Sequence, residues 1–325
     1  IRRPPRSTLS SSSAASDVYK RQVLEVLQLF VSGISQGCVY GLIALGFVLI
    51  YKATEMVNFA QGDVMMLGAY IGLTLVNSFE LSYLWAVPAT AFLMILLGAI
   101  LERVFFRPMI GEPHFAVLML TIGLGFVLRA LAGAIWGSEP QAVVTPYSGM
   151  VLRFGDLVIG YENLVIILGT AVLCFSLWLF FRFSRYGMAM QAASQNQLAA
   201  FYVGIPVKRI YSLVWGLAAA IAGIAGILMA PISMVYPMIG FIGIKAFAAA
   251  IVGGFGSLPG ALVGGLLIGV CEQFAGYYLP AGFSETSAYL ILLLVLIVRP
   301  DGLFATMQKL SLIHISEPTR PRLIS

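Results

Sequence analysis

Long apolar runs recur along almost the whole chain, and they constrain its fold more than any other feature. A helix needs about 20 apolar residues to cross the hydrocarbon layer of a membrane. The seventh run is short and lies between glycines, so it could be a re-entrant or half-crossing helix, which would leave eight full spans. The pattern predicts an all-α polytopic membrane protein with about eight to nine transmembrane helices, from runs at residues 27–51, 59–76, 84–105, 115–136, 164–181, 210–229, 240–255, 261–279 and 284–298.

The composition excludes a soluble globule of average make-up. Hydrophobic residues make up 60% of the chain and charged residues only 10%, and the mean hydropathy is +0.94. Residues 1–22 and 310–325 lack the pattern of the rest, and the first Met is Met56. We expect both tails to be sequencing-adapter read-through, which leaves 23–309 as a single transmembrane domain. Basic and acidic residues are equally numerous in that domain, so the pI of 9.1 does not indicate nucleic-acid binding.

One long polar segment interrupts the apolar pattern, RFSRYGMAMQAASQNQLAAFYVGIPVKR at residues 182–209. Asn196 can cap a short helix, Gly204 marks the end of that helix, and Pro206 prevents it from continuing. The segment is predicted to be a folded surface element on which another protein docks. The alternative is a solvated connecting loop.

The distribution of charge predicts the orientation of the chain. If residues 182–209 are cytoplasmic, alternation of the spans places most cations of the domain on the same side, as the positive-inside rule requires. The N-terminus is then outside and the C-terminus inside. The cytoplasmic cations are Lys52, Arg103, Arg107, Arg182, Arg185, Lys208, Arg209, Arg299 and Lys309, and the external loops hold Arg153 with Glu80, Glu139, Asp156, Glu162 and Glu285.

The residue types that carry catalysis or bind cofactors are sparse. Cys38, Cys174 and Cys271 lie within predicted spans without ligand spacing, and His114 is the one histidine of the domain. We therefore expect inert core thiols and neither a metal site nor another cofactor. The chain also lacks the GxxxxGK[ST] loop, which excludes ATP binding by a P-loop.

Charged side chains inside spans pair with each other or line a polar path. Arg129, Lys245 and Glu272 each fall within a predicted span, and the sequence favours neither role. Asp63, near the start of the second span, can simply interact with the helix dipole. Milder candidates for a pathway or a buried polar cluster are Gln36, Tyr40, Asn58, Gln61, Thr121 and Gln273.

Small residues at helical spacing predict close contacts between helices. One stripe lies on the first span, and a second group surrounds the Pro-containing turn in GGFGSLPGALVGGLLIG, residues 253–269. Ordinary helix packing without a substrate role is the better interpretation for most of them. The candidates for helix packing are Gly33, Gly37, Gly41, Gly253, Gly254, Gly256, Gly260, Gly264 and Gly265.

Three motifs resemble a known family in their order and spacing. They are NFAQGDVMMLGAY at residues 58–70, GGFGSLPGALVGG at 253–265 and RPDGLF at 299–304. This combination resembles the inner-membrane permeases of branched-chain amino-acid ABC importers, and in particular the shorter of the two permease partners. The resemblance covers nearly all of residues 23–309.

The resemblance implies a non-enzymatic translocation subunit through which a small, mostly apolar amino acid moves inward. It also implies a second homologous permease, two cytoplasmic ATPase subunits and a periplasmic solute-binding protein. An ATPase-coupling helix is expected within residues 186–205, where small alanines would permit a close fit to the ATPase. The residues assigned to it are Tyr186, Gly187, Ala192, Ala193, Gln195, Asn196, Ala199, Ala200 and Gly204.

Other functions remain open from the residues alone. An ion-coupled secondary transporter would use Glu272 and Arg129 as coupling groups. Permeases of the same family for urea or short amides also fit. An intramembrane enzyme is disfavoured because no set of nucleophile, base or metal ligands can be assembled from this sequence.

Overall fold

A computed structural model describes residues 9–304, and within them the chain forms a bundle of α-helices with one small hairpin. Two π-helical turns, Thr74–Ser78 and Glu102–Phe106, extend α2 and α3, and short 3₁₀ helices follow at Arg107–Met109 and Pro237–Phe241. The α-helices are α1 Leu9–Thr54, α2 Gln61–Leu73, α3 Tyr83–Leu101, α4 His114–Trp136, α5 Tyr161–Phe183, α6 Arg185–Gln195, α7 Gln197–Tyr202, α8 Val207–Met229, α9 Ile242–Gly253, α10 Leu258–Tyr278 and α11 Phe283–Val298.

Each predicted apolar run contains a helix, so the all-α membrane fold is confirmed. Among the described residues, six helices are long and apolar enough to cross a membrane. They are Tyr19–Thr54, Tyr83–Met109, His114–Trp136, Tyr161–Phe183, Val207–Met229 and Leu258–Tyr278. Helix α9 has 12 residues, so it is as short as the seventh run predicted. Helix α2 is also short, with 13 residues, and neither helix reaches the length of a full span on its own.

The structure differs from the sequence prediction at the start of the first helix. Helix α1 begins at Leu9, well before residue 27, because no Gly or Pro interrupts the chain between Leu9 and Gly33. The described part of the tail 1–22 therefore continues α1. The second tail, 310–325, and Lys309 lie outside the described residues.

A β-hairpin between α4 and α5 was not predicted. Strands β1, Val151–Phe154, and β2, Leu157–Gly160, pair antiparallel around the two-residue turn Gly155–Asp156. Gly155 has a φ of +62°, a conformation that a two-residue hairpin turn requires and that glycine adopts without strain. The Gly-Asp pair between two apolar stretches was the sequence signal for this hairpin.

The centre of the bundle is formed by α1 and α8, with α2 and α10 packed against them. The apolar windows of α1 and α8 are mostly covered by the rest of the chain, whereas that of α5 is mostly exposed. Large apolar side chains such as Phe92 and Phe126 are exposed on α3 and α4. Such a surface is stable in a hydrocarbon solvent and not in water.

Contacts between the helix ends define two opposite ends of the bundle. The basic end holds the C-terminus of α1 together with α6, α7 and the start of α8, and there Gln197 Nε2 donates to the carbonyl oxygen of Ala53 at 3.2 Å. The acidic end holds the hairpin and the ends of α2 and α4. There Trp136 Nε1 donates to Thr74 Oγ1 at 2.8 Å, and Asn77 Nδ2 donates to the carbonyl oxygen of Ala142 at 3.0 Å.

Candidate functional site

Helix α2 begins inside the bundle and not at its surface. Gln61 lies beside Gly46 of α1, and its Nε2 donates to the carbonyl oxygen of Ala218 in α8 at 3.0 Å. Asn58 Oδ1 accepts from the amide of Ala60 at 3.1 Å, and its Nδ2 donates to Gln61 Oε1, also at 3.1 Å. Asn58 and Gln61 therefore satisfy the backbone and each other where the helix starts at depth.

The start of α2 packs directly against the short 3₁₀ helix that leads into α9. A Cβ on Gly62 would collide with the backbones of Gly240 and Gly243. Two interrupted helices therefore meet backbone to backbone within the bundle, which only glycine at these positions permits. Irregular backbone is tolerated at membrane depth where it is covered by protein in this way.

An ion pair lies at this junction. Arg129 on α4 holds Asp63 with two hydrogen bonds, Nε to Oδ1 at 2.6 Å and an Nη to Oδ2 at 3.1 Å. The Arg129 guanidinium carbon also lies 4.0 Å from the centroid of the Phe241 ring. Arg129 is thus paired, and Asp63 does more than favour a helix dipole because its carboxylate balances a cation on another helix.

A second cluster joins α1, α9 and α10. Lys245 Nζ lies 2.6 Å from Glu272 Oε1, and the Tyr40 hydroxyl donates to Glu272 Oε2 at 2.7 Å. Gln36 Nε2 donates to the Tyr40 hydroxyl at 2.7 Å, and Gln273 approaches Gln36 Oε1 at 3.4 Å. Five residues that were separate candidates in the sequence thus form one chain of polar contacts. We call it the Glu272 cluster.

Thr121 belongs neither to the junction at the start of α2 nor to the Glu272 cluster. Its side chain is fully buried, and its Oγ1 donates to the carbonyl oxygen of Leu118 one turn earlier in α4, at 2.9 Å. This bond satisfies the hydroxyl within its own helix.

The glycines of α1 and α10 form one close helix contact. Gly33, Gly37 and Gly41 face the backbone of α10 at residues 262–270, and Gly265 in turn lies against Gly37 and Gly41. A Cβ on Gly33, Gly37 or Gly265 would collide with the opposite backbone, and one on Gly41 would be tightly packed against Leu262. The approach is therefore possible only because both surfaces consist of glycine at four-residue spacing.

The turn between α9 and α10 is a second close contact, and it includes the RPDGLF motif. Gly260 and Gly264 approach the backbone of Gly253, while Gly254 ends α9 with a φ of +101°. The amides of Leu303 and Phe304 donate to the carbonyl oxygens of Val252 and Gly253, at 2.9 and 3.1 Å. The motif after α11 thus satisfies carbonyl groups at the C-terminus of α9.

The polar segment at the basic end folds into two helices, α6 and α7. Asn196 Oδ1 accepts from the amide of Ala199 at 2.9 Å, and Gly204 has a φ of +87°, so the predicted cap and stop are both present. The preceding helix α6 was not predicted separately. Ser184 caps it by accepting from the amide of Tyr186 at 3.3 Å.

The surface of this segment differs from the predicted one. Gly187, Ala193 and Ala200 are buried against the chain itself, and a Cβ on Gly187 would meet the backbone of α5. A partner protein cannot pack closely against these residues, because other parts of the bundle already cover them. The exposed side chains include instead Tyr186, Met188, Ala192, Gln195, Asn196, Ala199, Phe201, Tyr202 and Val203.

A polar contact at the basic end was not predicted from the sequence. Arg107 binds Glu102 through Nε at 3.0 Å and an Nη at 2.8 Å. The Ser212 hydroxyl on α8 lies 2.6 Å from Glu102 Oε2 and 2.7 Å from Arg107. The five-residue spacing of Glu102 and Arg107 follows from the π-turn between them, whereas an α-helix would bring together residues three or four apart.

These features define a class of protein, a polytopic helical membrane protein with interrupted helices and a structured loop at its basic end. The chain belongs to the family described as branched-chain amino acid transport system / permease component, whose model matches residues 29–299. It is 34% identical over 297 residues to the high-affinity branched-chain amino acid transport system permease protein BraD of Pseudomonas aeruginosa, covering 87% of this chain and 96% of that protein.

Two further similarities cover most of the chain. The permease protein LivH of the high-affinity branched-chain amino acid transport system of Escherichia coli is 32% identical over 302 residues, with the same shares covered. A solved structure, PsaBC from Streptococcus pneumoniae in complex with Fab, is 17% identical and covers 85% of this chain and 92% of that chain, with a TM-score of 0.48. The family match and the two permease relatives confirm the family relationship predicted from the three motifs, and the chain is a permease component of a transport system.

Proposed function

We propose that the chain is a permease subunit of an ATP-driven importer in the cell inner membrane, and that it conducts branched-chain amino acids inward. The observation that carries the proposal is the family match over residues 29–299. Relatives that match over most of their length are named for branched-chain amino acid transport. ATP hydrolysis belongs to two separate ATPase subunits, and a periplasmic binding protein and a second homologous permease complete the importer.

The basic end of the bundle faces the cytoplasm in this proposal. It carries Arg182, Arg185, Lys208 and Arg209 next to the helices α6 and α7, as the positive-inside rule favours. The N-terminus is then outside and the C-terminus inside. Phe201, Tyr202 and Val203 are 65%, 81% and 77% exposed at this end, and exposed apolar side chains on a capped helix suit a protein partner.

The paired charges weaken the case for ion coupling. Arg129 and Glu272 are each held in an ion pair with a second helix. These pairs account for both charges inside an apolar bundle without a role in ion movement.

The test of function is reconstitution. The chain is placed in liposomes with the second permease, the ATPases and the binding protein, and ATP-dependent uptake of labelled leucine and of urea is measured. We expect leucine uptake that requires every component. Uptake by the chain alone, driven by a proton or sodium gradient, or uptake of urea without leucine, would contradict the proposal.

The role of the polar segment is tested in the same system by Ala199→Arg. Ala199 is exposed on α7, so the arginine stays hydrated in the isolated chain and the membrane fold should survive. If an ATPase covers this position, the arginine charge is buried there without a partner and weakens association by a few kcal/mol. We expect loss of ATPase co-purification and of leucine-stimulated ATP turnover. Arg153→Ala, in the exposed hairpin, is the matched control, and normal association of the Ala199→Arg variant would show that the segment is only a connecting loop.

A further inference from the structure

A cavity of about 440 Å³ opens at the acidic end, between α1, α5 and the segment that follows α8. Its size lies within the range of roughly 300–1,000 Å³ that is typical of small-molecule sites. The wall is mixed in character. Ser32, Ser35 and Gln36 contribute polar groups from α1, while Val39 and Ile166 contribute apolar surface.

One hydroxyl group in the wall has no hydrogen-bond partner within the described residues. Ser35 is fully buried, and its Oγ is unpaired among them. Buried polar groups almost always have a partner, since leaving one unpaired is unfavourable. Ser35 lines the cavity, although its Oγ is not exposed to it, so a rotation of the side chain about χ1 would let a ligand in the cavity supply the missing partner.

The charges around the cavity define what that ligand carries. Glu162 at the start of α5 is the charged group among the described lining residues, and neither Lys nor Arg lines the cavity. One carboxylate oxygen of Glu162 accepts from the amide of Gly149 at 2.9 Å. The carboxylate of Glu272 lies behind the Tyr40 hydroxyl, at 2.7 Å from it, and is already paired with Lys245, so the negative charge that a ligand meets comes from Glu162. The cavity therefore favours an ammonium group over a lone anion.

We propose that this cavity is a binding site for a zwitterionic aliphatic amino acid within the permease. The ammonium group lies at Glu162, the carboxylate accepts from Ser35 and neighbouring hydroxyl and amide donors, and the aliphatic side chain packs on Val39, Ile166 and Met229. This inference rests on the proposed function, from which it takes the class of substrate. It adds a site inside this chain that holds the amino acid after the binding protein has delivered it.

The first experiment measures equilibrium binding of radiolabelled L-leucine to the assembled importer in nanodiscs, without the binding protein. We expect saturable binding to the wild type and about tenfold weaker binding to Ser35→Ala, because a hydrogen bond to a charged ligand group is lost. The melting temperature of this variant should be unchanged or higher, since the mutation removes a buried unpaired hydroxyl. Thr90→Val is the matched control because Thr90 Oγ1 on α3 is also buried and unpaired but lies outside the cavity wall. Its leucine affinity should equal that of the wild type.

The second experiment tests the ammonium subsite. Glu162→Gln keeps an oxygen for the amide of Gly149 and removes the charge. We expect about tenfold weaker leucine binding. In the wild type, 3-methylbutylamine should compete with leucine better than 4-methylpentanoate does, and the variant should lose this preference.

The outcomes separate the site from the function. Absence of saturable leucine binding to the wild type, or wild-type affinity in both Ser35→Ala and Glu162→Gln, overturns the site while leucine uptake by the complete importer continues. Failure of the proposed function is a different result, the absence of leucine uptake when the binding protein and ATPases are all present.

Discussion

At the scale of single residues, the charges inside the bundle are explained by their partners. Asp63 is 1% exposed and Arg129 on α4 neutralises it through two hydrogen bonds. Glu272 is likewise buried, with Lys245 at 2.6 Å. Each pair joins two helices, so each restricts how those helices can pack. The pairs are more informative about packing than about net stability, since desolvation offsets much of the attraction.

The pair Asp63–Arg129 gives a prediction for stability. Arg129→Met leaves a buried carboxylate without its cation and should lower the free energy of unfolding by about 3–5 kcal/mol. Melting temperature in detergent measures the effect. Arg153→Ala, an exposed change, should stay within about 0.5 kcal/mol of the wild type.

The double variant Asp63→Asn/Arg129→Met should recover most of that loss, because no buried charge remains. Asparagine preserves the shape of Asp63, which matters because Gly125 and Gly240 lie close around its carboxylate. The pairing would be contradicted if Arg129→Met were as stable as Arg153→Ala. It would also be contradicted if the double variant were no more stable than Arg129→Met.

At the scale of elements, close backbone contact organises the bundle. Helix α1 packs along α10 through glycines on both helices, and α9 packs on α10 through Gly253 and Gly260. These contacts bring Tyr40 of α1 and Lys245 of α9 to Glu272 of α10. Small residues thus have a second consequence beyond packing, because they bring the polar side chains of the Glu272 cluster within hydrogen-bond distance.

Gly37→Ala tests the contact between α1 and α10. An added Cβ would meet the Leu266 backbone and the carbonyl oxygen of Gly265, and overpacking of this kind typically costs about 1–3 kcal/mol. We expect a lower melting temperature. Gly123→Ala on α4 is the matched control, because nothing lies within 4 Å of a Cβ there and alanine favours a helix by up to about 1 kcal/mol. Equal stability of the two variants would show that α1 and α10 can move apart to accommodate the added Cβ without a loss of stability.

At the scale of the whole molecule, the two ends differ in charge and in structure. The acidic end carries a β-hairpin and the polar cavity, and the basic end carries α6, α7 and the segment 299–304 that caps α9. The importer proposed above would need different surfaces on the two sides of the membrane, one for delivery of the solute and one for the ATPases. The asymmetry of this bundle fits that requirement.

Cysteine labelling tests the orientation. In a background without Cys38, Cys174 and Cys271, Gln195→Cys places a thiol on the exposed surface of α6 and Ser148→Cys places one in the connection before the hairpin. In intact cells, an impermeant maleimide should label only Ser148→Cys. Gln195→Cys should react after the membrane is opened. The reverse pattern would invert the proposed topology.

The amino-acid sequence alone determined the features that depend on local chemistry. The apolar runs predicted the helices of the bundle, because hydrophobic length is a property of each segment by itself. Asn196 and Gly204 predicted the cap and the end of α7 for the same reason, since a cap acts within one turn. The turn Gly155–Asp156 is also a local signal, because a Gly-Asp pair between two short apolar stretches is typical of a β-hairpin.

The tertiary structure alone decided which residues meet. Asp63 and Arg129 are 66 positions apart and Tyr40 and Glu272 are 232 apart, so no local pattern relates them. It also decided that Ala193 is covered by its own bundle while Ala199 is exposed. The physical reason is that burial and pairing inside a membrane protein depend on how helices pack against each other, and this packing follows from the close contacts of glycines on different helices rather than from the hydropathy of any one of them.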